Sequence, residues 1–244
     1  AIQEYAMRAI SIAGFKNSGK TTLTSLLAAA LERRGLSVSI AKRAHHRLDK
    51  PDTDTAKLCA QGRTVVGFSE TETALFRGGA RQLPDMLPLL QADMLLMEGG
   101  KSRDWLPRVL CARDPSEAEA LNRGLALASF GRVPVPGLPH FTESGIDDLA
   151  ALAAERAFML PGLNCGACGY GGCLGLARAI VAGAAAVGDC KALDAPVTVT
   201  INGQPLGLNP FTARMLGGAI QGMLHEMKGV APGDVEIRLK LQDR

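Results

Sequence analysis

Short β-branched or apolar runs alternate with helical periods along residues 8–157. "RAISIAG" predicts a buried strand, and "TTLTSLLAAALERRG" puts Leu23, Leu26, Leu27, Ala30 and Leu31 on one helical face before stopping at Gly35. "LSVSIAK" predicts a second strand, "TVVGFS" and "TALFRG" a strand pair, and "DMLLMEGG", "RVLCA" and "LALASF" three more. "SGIDDLAALAAERAF" predicts a capped helix. Strands alternating with helices imply an α/β fold with a mostly parallel sheet covered on both faces.

The pattern breaks at "MLPGLN", 159–164, where Pro161 and Gly162 cannot continue a helix, which suggests a linker. After a cysteine-rich segment, "VTVTINGQPLGL" predicts a hairpin turning at Asn202-Gly203. "NPFTARMLGGAIQGMLHEMKG" predicts a helix with Pro210 near its start, and "DVEIRLKL" alternates like a half-exposed strand. Three units are expected: a nucleotide-binding domain over 1–158, a cysteine domain over 159–195, and a small α+β unit, ββαβ in outline, over 196–244.

Composition narrows the function classes. The 244 residues are 47% hydrophobic, enough to fill a core, which excludes a disordered chain. The net charge of +3 is too slight for a phosphate-backbone binder, and no stretch concentrates Lys and Arg with aromatics, so nucleic acid is not expected as a partner. Met7 to Ala13 is too short and too interrupted for a secretory signal, and no apolar run has membrane-spanning length; the expectation is a cytoplasmic protein. Cys59 and Cys111 stand alone and read as small buried hydrophobes.

Gly14-Phe15-Lys16-Asn17-Ser18-Gly19-Lys20-Thr21 fits GxxxxGK(S/T) between the first strand and the first helix, the context a phosphate loop needs. The glycines let the loop curl until successive N–H groups point inward, and the helix aims its positive end at the same spot. Lys20 then reaches β/γ-phosphates and the Thr21 hydroxyl can ligate Mg²⁺. Glu98-Gly99-Gly100 falls at the carboxyl end of "DMLLMEGG", where open α/β sheets bind ligands. Glu98 suits Mg²⁺ and Gly99 a γ-phosphate, while Asp93 lies at the wrong end of the strand. Lys42, Arg43, His45, His46, Asp52 and Asp54 crowd the loop after the second strand, fit to close over phosphates or simply to be solvated. No (N/T)KxD guanine-reading motif occurs, and "CARDP", 111–115, is at best a degenerate substitute.

The phosphate loop, "KRAHH…DKPDTDT", "LLMEGGK" and "LASFGRVPVPGLPHFTESGIDDLAALAA" together resemble the MobB family, P-loop proteins of molybdopterin-guanine dinucleotide biosynthesis. The resemblance implies a P-loop NTPase fold binding GTP with Mg²⁺, with Gly14 to Thr22 as the phosphate loop. It implies Lys42, His45, His46 and Asp54 as an active-site loop and Glu98-Gly99 as the strand-end motif. It also implies a homodimer with slow GTPase activity, acting beside the nucleotidyltransferase that attaches GMP to molybdopterin, or a molybdoenzyme. In such a reaction Lys20 and Mg²⁺ neutralise γ-phosphate charge, while a group near Glu98 or in the 42–54 loop, which ends at Asp54, positions water.

Cys165, Cys168 and Cys173 fall within nine positions, with sixteen residues between Cys173 and Cys190. Structural zinc usually uses two separated pairs, whereas three clustered thiolates plus a remote one suit a [4Fe-4S] cubane. Zinc and unmetallated cysteines are the alternatives. A helix over 174–182 rises about 14 Å at ~1.5 Å per residue, and residues 183–189 span up to about 23 Å, so the fourth thiol can return. "NCGACGYGGCLGLARAIVAGAAAVGDC" resembles the four-cysteine [4Fe-4S] domain found in the B component of Rnf-type electron-transport complexes and in corrinoid iron–sulfur proteins. That resemblance implies Cys165, Cys168, Cys173 and Cys190 as ligands. Two other functions fit: an ATP-dependent activator delivering electrons to an oxidoreductase, and a non-catalytic adaptor.

Overall fold

The structure is a computed structural model and describes residues 7–44, 48–50, 52–60, 63–78, 83–193, 197, 199–201, 204–231 and 233–240. In chain order the elements are β1 (Arg8–Gly14), α1 (Lys20–Arg33), β2 (Val38–Lys42), α2 (Asp54–Cys59), β3 (Thr64–Phe68), β4 (Thr73–Arg77), β5 (Met94–Glu98) and β6 (Arg108–Cys111). Then follow α3 (Pro115–Asn122), β7 (Ala126–Phe130), β8 (His140–Phe141), α4 (Ile146–Arg156), α5 (Cys173–Val181), β9 (Val199–Ile201), β10 (Gln204–Leu206) and α6 (Pro210–His225).

Six strands form one sheet in the order β2-β5-β1-β6-β7-β8, and every neighbouring pair runs parallel. β5 is central and buried throughout, which is why its sequence is apolar without alternation. Successive residues still point to opposite faces. Met94 and Leu96 of β5 join Ile10 and Ile12 of β1 under α1 and α4, where Leu23, Leu27, Leu31, Leu149 and Ala153 close the layer.

The opposite face is covered differently from expectation. Ala9, Leu95 and Met97 pack against Trp105, Leu106, Phe158 and Leu160 and against Leu176, Ala177 and Cys190 of the cysteine lobe. The second layer is therefore built partly by α5 and its flanking loops. The 159–164 segment, expected to be a linker, is packed as well: Leu160 is buried and its N–H donates to the Trp105 carbonyl at 3.3 Å.

β3 and β4 pair antiparallel, as the sequence suggests, but as a separate two-stranded sheet. β9 and β10 also pair antiparallel; the Asn202-Gly203 turn between them lies outside the described residues. α6 starts as predicted, with Pro210 in its first turn and the Asn209 side chain accepting the Thr212 N–H at 2.9 Å. The expected final strand in "DVEIRLKL" does not form over 234–240, and Val235, Ile237 and Leu239 are exposed. An alternating pattern makes a strand only where an edge is available to pair with it.

Candidate nucleotide site and cysteine lobe

The phosphate loop folds at the carboxyl end of β1. Gly14 is enclosed: a Cβ there would lie 2.2 Å from Ser18 Oγ and 2.6 Å from the Cys111 carbonyl oxygen. Asn17 and Gly19 adopt left-handed φ values of 62° and 86°, which curl the loop back over the start of α1. Gly19 is the N-cap and supplies no side-chain cap, so the first-turn N–H groups receive no side-chain acceptor from it. The Lys20 ammonium and the Ser18 hydroxyl both donate to the Phe15 carbonyl, the latter at 3.0 Å. Lys16, Thr21 and Thr22 are exposed at the loop's rim.

Three of the residues singled out in the sequence converge. Glu98, at the end of β5 and only 6% exposed, accepts the Thr21 hydroxyl at 3.0 Å and pairs with the Lys42 ammonium at 2.9 Å through the same oxygen. The donor set fits Mg²⁺. Two neighbouring ligands on an octahedral ion with bonds of about 2.1 Å lie roughly 3.0 Å apart, the separation found between Thr21 and Glu98. Parallel register delivers Lys42 here, because it lies beside Glu98 in the β2–β5 ladder. Asp93, at the far end of β5, is bound instead to the Ser37 hydroxyl and N–H at 2.6 and 2.8 Å.

Other expected residues are placed elsewhere. The Gly99 N–H donates to the Ile12 carbonyl at 3.0 Å, so it completes the sheet rather than facing a γ-phosphate. Asp54 opens α2, is 96% exposed, and has Lys57 as its ion-pair partner at 3.7 Å. His45 and His46 lie outside the described residues. In "CARDP", Asp114 caps α3 by accepting the Glu117 N–H at 2.9 Å and the Ser116 hydroxyl at 2.6 Å, and these bonds hold its carboxyl below the usual range. That carboxylate already has its structural partners, which argues against a guanine-reading role. Cys111 is buried beneath the phosphate loop, and burial pushes its thiol up to about 12, consistent with an inert apolar filler.

Lys101 was missed in the sequence. Its ammonium lies 3.2 Å from the centroid of the Phe15 ring, and burial, then the nearby Lys20 charge, lowers its pKa. Its position directly after Glu98-Gly99-Gly100 was the available signal.

In the second lobe the four cysteines are free thiols, Cys165 exposed, Cys168 and Cys173 half-buried and Cys190 buried. Among the described residues no three potential ligands form a closed metal-binding group. The thiols are nonetheless neighbours: Cys173 feels Cys165 and Cys168, and Cys190 feels Cys173 and Cys168, although burial is the main cause that raises the pKa of both. The donor chemistry fits an iron–sulfur group. All four are sulfurs, and left-handed Gly166, Gly169, Gly171 and Gly172 let the loop run close to them. The Asn164 N–H already donates to Cys173 Sγ at 3.2 Å, and the Asn164 side chain accepts the Cys173 N–H at 3.2 Å. Asn164 was not read from sequence as part of this site.

Fold and loop together define a P-loop NTPase-like α/β domain joined to a cysteine lobe. Residues 9–128 match the family model "Molybdopterin guanine dinucleotide synthesis protein B", and residues 160–192 match the model "Putative Fe-S cluster". Residues 9–128 are thus a MobB-type domain. The chain is 26% identical over 233 residues to a Methanocaldococcus jannaschii protein described as a "Putative molybdopterin-guanine dinucleotide biosynthesis adapter protein", covering 92% of this chain and 93% of that one. A 32-residue stretch is 66% identical to the B component of the ion-translocating oxidoreductase complex of Cereibacter sphaeroides, 13% of this chain and 17% of that one. A MobB homolog structure from Bacillus stearothermophilus aligns with TM-score 0.46 at 24% identity over 61% of this chain and 96% of its own. No helix among the described residues is long and apolar enough to cross a membrane.

Proposed function

We infer that the protein is a GTP-binding adaptor of molybdopterin-guanine dinucleotide biosynthesis or insertion, with slow GTP hydrolysis and a [4Fe-4S] cluster on Cys165, Cys168, Cys173 and Cys190. The observation that carries the reading is the convergence of Thr21, Lys42 and Glu98 beside an uncapped helix start. The likeness to the M. jannaschii protein, which extends across both lobes, supports the pathway.

In this reading the N–H groups of the loop and α1 bind the phosphate oxygens, and Lys20 leaves the Phe15 carbonyl to bind the β/γ-phosphates. Thr21 and Glu98 hold Mg²⁺, which supplies charge neutralisation on the transferred phosphoryl group. Lys42 orients the Glu98 carboxylate. Hydrolysis cleaves the β–γ phosphoanhydride with water as nucleophile, releasing GDP and inorganic phosphate. Four thiolates hold the iron–sulfur group. The protein acts as a homodimer in the cytoplasm, with a molybdenum-cofactor nucleotidyltransferase or a molybdoenzyme as its partner.

The test is anaerobic purification of the full chain, iron and sulfide analysis, and competition between GTP and ATP with Mg²⁺ on one sample. Expected are four irons and four sulfides per chain and preferential binding of GTP. Clear ATP selectivity would move the assignment to an ATP-dependent activator, and absence of iron would remove the cluster.

A further inference from the structure

The turn after β5 links the nucleotide site to the cysteine lobe by continuous contact. Glu98 ends β5 inside the phosphate site, and Gly99 and Gly100, with left-handed φ values of 89° and 74°, redirect the chain. The residues that follow are clamped on Arg108 of β6, whose side chain is fully buried. Its Nη2 donates to the carbonyls of Lys101 at 2.8 Å and Arg103 at 3.3 Å and to Asp104 Oδ1 at 3.2 Å. Immediately beyond lies Trp105, 8% exposed and seated on the cysteine lobe. Its carbonyl accepts the Leu160 N–H, and a Cβ on Gly162 would come within 3.1 Å of its indole, three residues before Cys165. A second connection leaves Asp104, whose Oδ1 is 2.7 Å from Arg123 Nη1. The Arg123 carbonyl accepts Arg178 Nε at 2.7 Å, and Arg178 belongs to α5, the helix that opens at Cys173.

Packed interiors transmit displacement because they switch between arrangements rather than compress. Here Gly99 is tied to β1, its N–H donating to the Ile12 carbonyl and its carbonyl accepting the Ser11 hydroxyl, each at 3.0 Å, so a shift at Glu98 is handed on through the turn to the contacts above. We propose that residues 99–105 form a lever by which occupancy of the nucleotide site repositions the cysteine loop, with Trp105 and Asp104 as positioning residues. The proposal rests on the nucleotide-binding reading and adds its regulation. Coupling between two binding sites is reciprocal, so the state of the cysteine loop changes nucleotide affinity by the same factor.

Trp105 is the chain's single tryptophan, so its emission reports the lever directly. The anaerobically purified full chain is titrated with GTP and Mg²⁺, with binding measured independently by equilibrium dialysis. Two further readouts are taken: Trp105 emission and the rate at which iron passes from the cysteine site to a chelator. The expected result is an emission shift on binding and a change in the rate of iron release of about fivefold or more, a kinetic readout scaled to the lower end of typical equilibrium coupling. Asp104→Asn, which keeps size and removes the shared charge, is expected to bind nucleotide within about twofold of the parent while losing at least half of the change in iron release. Trp105→Phe retains the aromatic contact and most of that change, whereas Trp105→Ala loses it. Nucleotide bound by dialysis with emission or iron release unmoved overturns the lever and leaves the binding reading intact. Absence of binding by dialysis overturns both.

Discussion

Truncating Leu176 to alanine tests whether the cysteine lobe is a working part of the α/β core. The side chain is 1% exposed and shares one apolar cluster with Leu95 and Met97 of the central strand and with Trp105. Removing it forfeits transfer free energy and leaves a cavity whose walls are the sheet on one side and α5 on the other. Leu→Ala changes at such sites cost about 2–5 kcal/mol. At roughly 2–4 °C per kcal/mol for a chain of this size, the melting midpoint falls by on the order of 10 °C. The assay is anaerobic differential scanning calorimetry of the full chain, with Leu176→Met as a control expected to cost less than about 1.5 kcal/mol. A shared core predicts that the main transition, the one that nucleotide raises, moves as a whole. If that transition stays in place while a separate, smaller one shifts, the two lobes are thermodynamically independent and the shared core is refuted.

Two further outcomes concern the site and one the far end of β5. Gly14→Ala places a methyl against the Cys111 carbonyl, which cannot rotate away, so about 1–3 kcal/mol of stability and most nucleotide binding are expected to be lost by denaturant titration and calorimetric binding. Glu98→Gln removes the charge that Thr21 and Lys42 share; the Mg²⁺-dependent part of nucleotide affinity should fall about 10- to 100-fold, from a loss of roughly 1.5–3 kcal/mol, and unchanged Mg²⁺ dependence would count against the site. Asp93 is held below its ordinary 3.8, first by the Ser37 hydroxyl and then by the Ser37 N–H. A depressed carboxyl stabilises the fold above 3.8 and loses that contribution as pH falls through its folded value, so the stability gap between the parent and Asp93→Asn should be constant from pH 7 to 5 and close below about pH 4.

Much of the α/β core was legible because α1 and α4 carry helical periods, β1 and β5 are short, nearly continuous apolar runs, and the phosphate loop has fixed spacing between a strand and a helix. Short elements escaped. β8 is two residues long, and α3 begins at the last residue of the stretch read as a degenerate base-recognition motif, although Asp114 followed by Pro115 is an N-cap signature. Among site residues, Lys20 and Thr21 could be chosen because the phosphate-loop spacing fixes them at the start of α1, and Lys42 and Glu98 because each ends a parallel strand at its carboxyl end. Nothing in the sequence placed Trp105 against Gly162 or Arg123 against Arg178, since each pair is more than fifty residues apart and only tertiary packing joins it. The final alternating stretch misled for the complementary reason: its period was right and its partner was missing.

Because α5 roofs the second face of the sheet, the two lobes cannot be parted cleanly. A module hung on a floppy tether can be swapped or deleted at will, but here excision would strip the shelter from Leu95 and Met97 and leave a greasy wall open to solvent. Cutting the chain before the cysteine lobe is therefore expected to leave a host domain that sticks to itself unless Leu95 and Met97 find other cover.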